Sequence, residues 1–339
     1  MKVVTFGELM LRLQPFNYLR FVQCENYEAT YGGGEANVAV SLANYGLETE
    51  FVSKLPNNEI GQSGVNSLRK FGVGTKFIAR GGDRCGIYFL EKGASQRPSK
   101  VVYDRKYSSF YFSNKEDYNW DEIFKDADWF HISGITPAVS VDLREIAIEA
   151  CKKAKEHGVI VSCDLNYRKK LWTKEEANET MSKLAQYVDV CIGNEEDAHD
   201  VFNISAENTD VSRGELNKEG YKSVAKQLMD KFGFKKVAIT LRTSISAFDN
   251  KWAAMIYDGE EYYFSTEYNV HIIDRVGGGD SFSAGLIYGL INNYSSKDAL
   301  EFAVAASCLK HSIEGDYNMV TVDEVKSLIK SGGSGRVQR

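Results

Sequence analysis

Several common signatures are absent from this 339-residue sequence, and their absence narrows the function. No apolar stretch is long enough to span a membrane. No dense basic run is present, and 41 basic and 47 acidic side chains give a net charge of −6, which argues against a nucleic-acid partner. The first ten residues, MKVVTFGELM, are typical of a strand entering a turn rather than of a signal peptide. We therefore expect a cytoplasmic protein that binds neither membranes nor nucleic acid.

Signatures of disulfides and metal sites are also missing. The six cysteines are scattered and form no C-x-x-C pair, so we expect reduced, mostly buried thiols. No histidine has metal-ligand spacing to another histidine or to a cysteine, and we interpret all five as structural or surface residues. The residues concerned are Cys24, Cys85, Cys151, Cys163, Cys191 and Cys308, with His131, His157, His199, His271 and His311.

Two familiar nucleotide-binding motifs are not found. The pattern G-x-x-x-x-G-K-S/T does not occur, which excludes a P-loop site. The segment GGGEAN, residues 32–37, has three glycines but lacks the G-x-G-x-x-G spacing, and it follows extended structure, so a dinucleotide site is disfavoured.

What the chain does contain is a regular alternation of apolar strands and amphipathic helices. This alternation predicts crossover units and a largely parallel sheet covered on both faces, an α/β/α sandwich. We predict one domain over residues 1–330, without repeats or linkers, and a mobile polar tail over 331–339. The predicted strands are Val3–Phe6, Phe51–Leu55, Trp129–Ser133, Val159–Asp164, Val188–Ile192 and Lys236–Leu241, with a hairpin over Ala253–Tyr257 and Glu261–Thr266. The predicted helices are Ala36–Tyr45, Ile60–Phe71, Val141–His157, Glu175–Ala185, Glu195–Phe202 and Lys218–Phe232, followed by a helical end over Phe282–Lys330.

Two β-rich segments, about residues 12–33 and 83–113, interrupt the alternation. Arg12 to Tyr31 is interpreted as extended and half exposed, and Gly86–Glu91 and Val101–Phe112 as strands without a long helix between them. Together they predict a small sheet that projects from the main domain. The alternative is an ordinary antiparallel edge on the main sheet.

The sequence DRVGGGDSFSAG, residues 274–285, is the strongest candidate for chemistry. Glycines let a ligand approach the backbone closely, and a turn that opens into a helix leaves N–H groups directed outward at the positive end of the helix dipole. Such a turn binds anions, and Asp280 at its rim is suited to take a proton from an attacking hydroxyl. The alternative is a glycine loop in which Asp280 only caps the helix.

Two segments together resemble one family. Asp274, Gly277, Gly279 and Asp280 match the D-x-x-G-x-G-D signature of the PfkB, or ribokinase-like, carbohydrate kinases. YGGGEANVAVSLANYG, residues 31–46, is similar to the family's sugar-binding segment G-G-x-x-x-N-x-A. The two lie far apart and in the family's order, and the resemblance covers nearly the whole chain.

The resemblance implies a ribokinase-like sandwich with a β-sheet lid over the sugar, and phosphoryl transfer from ATP and Mg²⁺ to a sugar hydroxyl. Asp280 would be the general base, Gly277, Gly278 and Gly279 the anion hole, and Gly33, Gly34 and Asn37 sugar contacts. Many relatives carry Thr-Thr where this chain has Arg275 and Val276. Because a monovalent-cation site lies nearby in the family, K⁺ is left as an open alternative.

Four residues suggest an acidic sugar. Tyr88 lies on one lid strand, and Tyr103 and Arg105 lie two apart on the next, so the latter two face the same way. Arg168, in DLNYRKKLW directly after a strand, offers a planar fork of donors. Both regions resemble those of 2-keto-3-deoxygluconate kinases, and the second also resembles some fructokinases. The alternatives are a solvent-facing sheet and a surface ion pair.

The remaining candidates lie on the nucleotide side. GNEEDAHD, residues 193–200, resembles the family's N-x-x-E motif, with Asp197 where Glu is usual. Asn194 is therefore expected near the nucleotide, and Asp197 is expected to act on Mg²⁺ through water. Thr240 and Arg242, the latter at the place of a usual glycine, lie where the family has its nucleotide-binding strand, and they are candidate nucleotide contacts. Asn318, in GDYNMV, is expected to border the adenine.

Together with the resemblance, these residues predict an ATP-dependent kinase that phosphorylates the terminal 6-hydroxyl of a sugar acid, 2-keto-3-deoxygluconate. We also expect the protein to form a homo-oligomer. A fructokinase or other neutral-sugar kinase is the first alternative. A non-catalytic sugar-binding or regulatory protein is the second, but pure binding gives no reason for a base at Asp280.

Overall fold

A computed structural model describes residues 1–206 and 218–332. Residues 331 and 332 of the predicted tail are described, and residue 331 ends a helix, whereas residues 207–217 and 333–339 lie outside these ranges. The strands are β1 (Lys2–Phe6), β2 (Met10–Pro15), β3 (Tyr27–Gly32), β4 (Glu48–Leu55), β5 (Ile78–Arg80), β6 (Gly86–Glu91), β7 (Lys100–Asp104), β8 (Trp129–Ser133), β9 (Ile160–Asp164), β10 (Val190–Gly193), β11 (Lys236–Ser244), β12 (Asp249–Tyr257), β13 (Tyr262–Phe264) and β14 (Tyr268–His271).

Helices follow most of the strands of the main sheet. They are α1 (Gly34–Asn44), α2 (Glu59–Arg69), α3 (Trp120–Ile123), α4 (Ile135–Ala138), α5 (Val141–Glu156), α6 (Lys174–Ala185), α7 (Glu195–Phe202), α8 (Lys218–Phe232), α9 (Gly278–Ile291), α10 (Ser296–Lys310) and α11 (Val322–Ser331). Side-chain caps mark many of the starts: Ser140 begins α5 and Thr173 begins α6 in this way. Within the described ranges, no helix is both long and apolar enough to cross a membrane.

The main sheet is parallel through its centre and antiparallel at one edge. Over the described residues it has ten strands in the order β13-β12-β11-β10-β9-β8-β1-β4-β5, with β14 also paired to β12. The pairs from β5 to β11 are parallel, and those of β12 with β11, β13 and β14 are antiparallel. Because parallel strands end at one edge, the residues that follow β9 and β10 meet there.

Apolar residues form a core on each side of this sheet. Leu143, Met181 and Leu228, from α5, α6 and α8, belong to one core, and Phe282 and Phe302, from α9 and α10, belong to the other. The predicted three-layer sandwich is therefore confirmed, because helices cover both faces. The sequence did not predict β5 or β14, which have three and four residues and are short for a periodicity to be recognised.

A second sheet of four strands, in the order β3-β2-β6-β7, is separate from the main sheet. The predicted small sheet is thus present, and it is not an edge of the main sheet. Strand β7 ends at Asp104, so the expectation of strand through Phe112 was wrong. The chain leaves the strand there because Arg105 turns inward to Glu8, and Tyr107 adopts a left-handed φ of 63°.

The first β-rich segment also differs in its burial. Arg12 was expected to be half exposed, but the residue is 1 % exposed, because acidic side chains from two other parts of the chain surround its guanidinium. Phe16, Tyr18 and Tyr27 are exposed, as expected.

Candidate active site

The glycine turn opens directly into helix α9. Gly277 has a φ of 81°, a conformation that favours glycine, and a Cβ there would lie 2.2 Å from the carbonyl oxygen of Asp316. Among the described residues, the N–H groups of Gly279 and Asp280 have no hydrogen-bond acceptor. A Cβ on Gly279 would meet nothing within 4 Å. The turn therefore presents free N–H groups to open space at a helix N-terminus, which suits a phosphate.

Asp280 lies beside that turn and faces the segment of residues 31–46 that was predicted to bind sugar. Its Oδ2 accepts a hydrogen bond of 2.7 Å from Nδ2 of Asn37, and a Cβ on Gly34 would lie 3.5 Å from its Oδ1. Burial raises the pKa of Asp280 to about 7, against the effect of the Asn37 hydrogen bond and with help from the nearby Glu35 carboxylate. A carboxylate that titrates near neutrality is suited to general-base chemistry.

The segment around Gly33 and Gly34 is packed closely against β1 and its continuation. Gly33 is extended, and a Cβ there would lie 2.0 Å from the carbonyl oxygen of Glu8. Its N–H donates to Oδ1 of Asn37 at 3.3 Å, so Asn37 is oriented from both ends of its amide. This packing places the beginning of α1 opposite the beginning of α9, with Asp280 between them.

Two more carboxylates lie near Asp280 at the ends of β9 and β10. Asp197 is buried, and its Oδ1 accepts a hydrogen bond of 3.0 Å from the N–H of Tyr167. Burial raises the pKa of Asp197 to about 6. Burial first, and then the carboxylates of Asp197 and Asp280, raise the pKa of Asp164 well above its ordinary value. Such a set of hard oxygen atoms with mutual repulsion fits a divalent cation, although no group of three or more candidate ligands is clustered in the described chain.

The other residues expected on the nucleotide side differ in exposure. Asn194 caps α7, because its Oδ1 accepts from the N–H of Asp197 at 2.8 Å. Thr240 donates to the carbonyl oxygen of Gly193, and Arg242 is exposed on β11. Asn318 is 1 % exposed, and its Nδ2 donates to Ser281 Oγ at 2.5 Å. Asn318 therefore braces α9 from inside rather than opening onto the surface.

The two arginines predicted for the sugar side have contrasting surroundings. Arg105 is buried, and its Nε and Nη2 lie 2.8 and 2.6 Å from Oε2 of Glu8. Arg168 is exposed, donates to the carbonyl oxygen of Tyr167, and has no ion pair within the described ranges. It still acts electrostatically on Asp164, Asp197 and Asp280. The surface ion pair considered as an alternative for Arg168 is thus not formed.

The two tyrosines also differ. The Tyr88 hydroxyl is buried and donates to the carboxylate of Asp316 at 2.6 Å. Tyr103 is 44 % exposed, and its ring centroid lies 6.1 Å from that of Tyr88. The small sheet therefore offers one fixed and one accessible tyrosine.

Sequence reasoning missed the buried charges that surround this site. They are Glu8, Arg12, Glu35, Lys310 and the carboxylate of Asp316. Glu35 of α1, for example, is buried and accepts hydrogen bonds from Ser133 and Thr136. Charged residues are expected on the surface, so only the apolar neighbours of Arg12, which are Met10, Leu11 and Leu13, indicated that its strand is partly buried.

Comparisons with known proteins point to one family. Residues 1–322 match the model of the pfkB family carbohydrate kinases. A 2-dehydro-3-deoxygluconokinase from Thermotoga maritima has 52 % identity and a TM-score of 0.94, over 97 % of this chain and 98 % of that one. A 2-dehydro-3-deoxygalactonokinase from Haloferax volcanii is 31 % identical over 98 % of both chains. A ribokinase II candidate from E. coli, in complex with ATP and Mg²⁺, has 19 % identity and a TM-score of 0.82 over 97 % of this chain and 99 % of that one, which indicates a shared fold.

Proposed function

Because the chain belongs to the pfkB family of carbohydrate kinases, it is a sugar kinase, and we propose that it transfers the γ-phosphate of ATP to the 6-hydroxyl of 2-keto-3-deoxygluconate. The observation that carries this proposal is the position of Asp280, between Asn37 of the sugar-binding segment and the free N–H groups of the glycine turn.

Asp280 would remove the proton of the sugar hydroxyl as its oxygen bonds to the γ-phosphorus. The bond from that phosphorus to the β–γ bridging oxygen breaks, and ADP leaves. The free N–H groups of Gly279 and Asp280 would stabilise the negative charge on the transferring phosphoryl group, while Gly278, whose N–H donates to the carbonyl oxygen of Arg275, would help to shape the turn. Gly277 would hold the turn in the left-handed conformation that directs these groups outward.

Asp197, Asp164 and Asn194 would hold Mg²⁺ beside the phosphates, directly or through water. The ion, when bound, supplies positive charge that neutralises the phosphate oxygens. The raised pKa values of Asp164 and Asp197 support this assignment, because a cation would compensate the carboxylate charges whose burial raises them. Thr240 and Arg242 would contact the nucleotide, and Asn318 would act on it indirectly by fixing Ser281 of α9.

An acidic sugar is proposed because positive charge is available on its side of the site. Arg168 has an exposed guanidinium without an ion pair within the described residues, and Nη1 of Arg105 is not among the atoms that contact Glu8. Tyr103 would add a hydroxyl contact. The 52 % identical relative named for 2-dehydro-3-deoxygluconate supports the same substrate.

The small sheet is proposed to act as a lid over the sugar. The lid is formed by the segments of about residues 12–33 and 83–113, which belong to a single domain. Closure over the sugar would exclude water and limit hydrolysis of ATP. Hydrogen exchange between Asp83 and Ser113 should slow when the sugar is added, and unchanged exchange there would argue against a lid. A homo-oligomer stays a prediction.

The decisive experiment measures ADP release with Mg²⁺ for a panel of sugar acids and neutral sugars. The proposal expects the highest specificity constant for 2-keto-3-deoxygluconate. A higher value for fructose would establish the neutral-sugar alternative. Sugar binding without any ADP release would favour a non-catalytic protein.

A further inference from the structure

A buried guanidinium joins the small sheet to the glycine turn. Arg12 of β2 is 1 % exposed, and its Nη1 lies 2.6 Å from Oδ1 of Asp316 while its Nη2 lies 2.6 Å from Oδ2 of Asp274. Nη2 also donates to Oε1 of Gln14. One guanidinium therefore pairs with two carboxylates that are distant from it in sequence.

Both of these carboxylate residues control the shape of the turn. Asp274 begins it, and its Oδ1 accepts from the N–H of Val276 at 3.1 Å while its Oδ2 accepts from the N–H of Gly315 at 3.1 Å. The main-chain carbonyl of Asp316 packs directly against Gly277. A shift of either residue would move Gly277, and with it the N–H groups that face the phosphate.

A second buried cation completes the group. Lys310 is fully buried, and its Nζ donates to the carbonyl oxygen of Ile313 at 3.0 Å. Burial lowers the pKa of Lys310, while the carboxylates of Asp274 and Asp316 act in the opposite direction. Two cations of the chain thus accompany two carboxylates beneath the turn.

The same arrangement does not fit a bound monovalent metal ion at Asp274. Each of its carboxylate oxygens already accepts a main-chain N–H, and Oδ2 also contacts Arg12. A guanidinium at 2.6 Å occupies the position from which a cation would have to approach that oxygen. The positive charge beneath the turn is therefore provided by the side chains of Arg12 and Lys310 rather than by a bound metal ion.

We propose that Arg12 is a positioning residue for phosphoryl transfer, which holds the Gly277–Asp280 turn in place and makes turnover independent of monovalent metal ions. This inference rests on the proposed kinase activity. The turn acts when charge develops on the transferring phosphoryl group, so its misplacement lowers kcat more than it weakens ATP binding.

The first test uses the wild-type protein, with ADP release measured in tetramethylammonium buffer and again with added K⁺ or Na⁺. The proposal expects the rates in these buffers to be equal within about twofold. If the turn needed a metal ion to hold its position, the rate without that ion would fall much further, because one lost oxyanion donor alone costs about a hundredfold. Activation by K⁺ of tenfold or more would overturn the proposal. Absence of sugar-dependent ADP release in every buffer would instead overturn the proposed function.

The second test uses Arg12→Met, with kcat, the KM for ATP and the melting temperature measured together. We expect kcat to fall by about tenfold or more, as for a displaced oxyanion-hole donor, and to recover in part when low concentrations of guanidinium or K⁺ are added. An unchanged kcat, or a loss that neither cation restores, would overturn the role of its charge. If the variant does not fold, the wild-type cation series decides.

The matched control is Lys155→Met. Lys155 pairs with the buried carboxylate of Asp189 at 2.7 Å, but at the amino ends of β9 and β10, away from the turn, and Lys235 contacts the same carboxylate at 3.0 Å. Because Lys235 still compensates Asp189, the variant should fold and show no cation-dependent change in kcat. Rescue of Lys155→Met by guanidinium would show that rescue is nonspecific and would remove the support for Arg12.

Discussion

Two groups of carboxylates lie on either side of the glycine turn, and they differ in whether their charge is compensated. Asp274 and Asp316 are buried against Arg12 and near Lys310. Asp164, Asp197 and Asp280 have no ion pair with any described residue, and their pKa values are raised. We propose that the first group holds the backbone in position, whereas the second is available to exchange protons or to bind a cation that a ligand brings.

The two arginines of the sugar side repeat this contrast. Arg105 is paired with Glu8 in the interior, and Arg168 is exposed without an ion pair among the described residues. Both residues are arginines, so the difference between them lies in whether each has an acidic partner. We therefore use a charge without an oppositely charged partner as a better indication of function than residue type, and each of the following changes tests this rule.

Asp280→Asn should have the largest effect. Loss of a positioned base lowers kcat by about a hundredfold to ten-thousandfold, and ATP should still bind. In the wild type, kcat should rise with pH through about 7, because the deprotonated form of Asp280 acts as the base. A variant that keeps more than about a tenth of the rate would lie outside that range and would exclude this role.

Arg168→Ala and Arg105→Ala should differ in their effect on stability. Loss of a charged hydrogen bond to a ligand carboxylate costs about 2–5 kcal/mol, so both variants should raise the KM for the sugar acid by tens-fold, and Arg168→Ala should do so without changing the melting temperature. Arg105→Ala should in addition lower the unfolding free energy by about 3–5 kcal/mol, because Glu8 stays buried without its partner.

Kinetics with fructose provide the control for this pair. A neutral sugar has no carboxylate to lose, so Arg168→Ala should leave its KM nearly unchanged. Equal effects on the acid and the neutral sugar would mean that Arg168 does not read the carboxylate. An unchanged melting temperature in Arg105→Ala would show that the ion pair of Arg105 with Glu8 does not stabilise the fold.

Asp197→Asn should weaken the response to Mg²⁺. Residues that orient or contact a metal through water typically change its affinity by about 10–100-fold, and a titration of ADP release against Mg²⁺ would measure this. Asp200→Asn, on the same helix and paired with Lys174, is the matched control and should leave the titration unchanged. Identical titrations for the two variants would remove Asp197 from the proposed site.

The pH dependence of stability should show a smaller effect. The pKa of Asp280 is raised from 3.8 in the unfolded chain to about 7 when folded, so the native state binds the additional proton. The stabilisation is therefore complete below about pH 4 and is lost as pH rises through 7. Asp280→Asn should melt higher than the wild type at pH 8 and show a smaller gain at pH 5. A gain that does not depend on pH would contradict the raised pKa.

Much of the fold could be predicted because it depends on local patterns. Helices α7 and α8 have the predicted bounds, since amphipathic periodicity and flanking strands define them. Strands β5 and β14 were missed because three or four residues carry too little periodicity. The end of β7 at Asp104 depends on the contact of Arg105 with Glu8, which is 97 residues away, so no local pattern contains it.

The site shows the same division between local and distant information. The glycine turn and Asp280 could be recognised because a left-handed glycine, a helix start and an acid are adjacent in sequence. The pairing of Asp280 with Asn37 spans 243 residues, and that of Arg12 with Asp274 spans 262. The segment Arg12 to Tyr31 was interpreted as half exposed because aromatic and polar residues alternate along it, whereas the burial of Arg12 depends on these distant carboxylates.

The sequence by itself determined the layered architecture, the small sheet and the turn, because backbone preference and apolar periodicity act over a few residues. Only the tertiary structure decided which charges are compensated, since Arg12 and Arg105 meet carboxylates that folding brings from distant segments. The free energy of a charge depends on its burial and its nearest opposite charge. Both are set by packing, so the chemical role of each acid and base in this protein was settled when the chain folded.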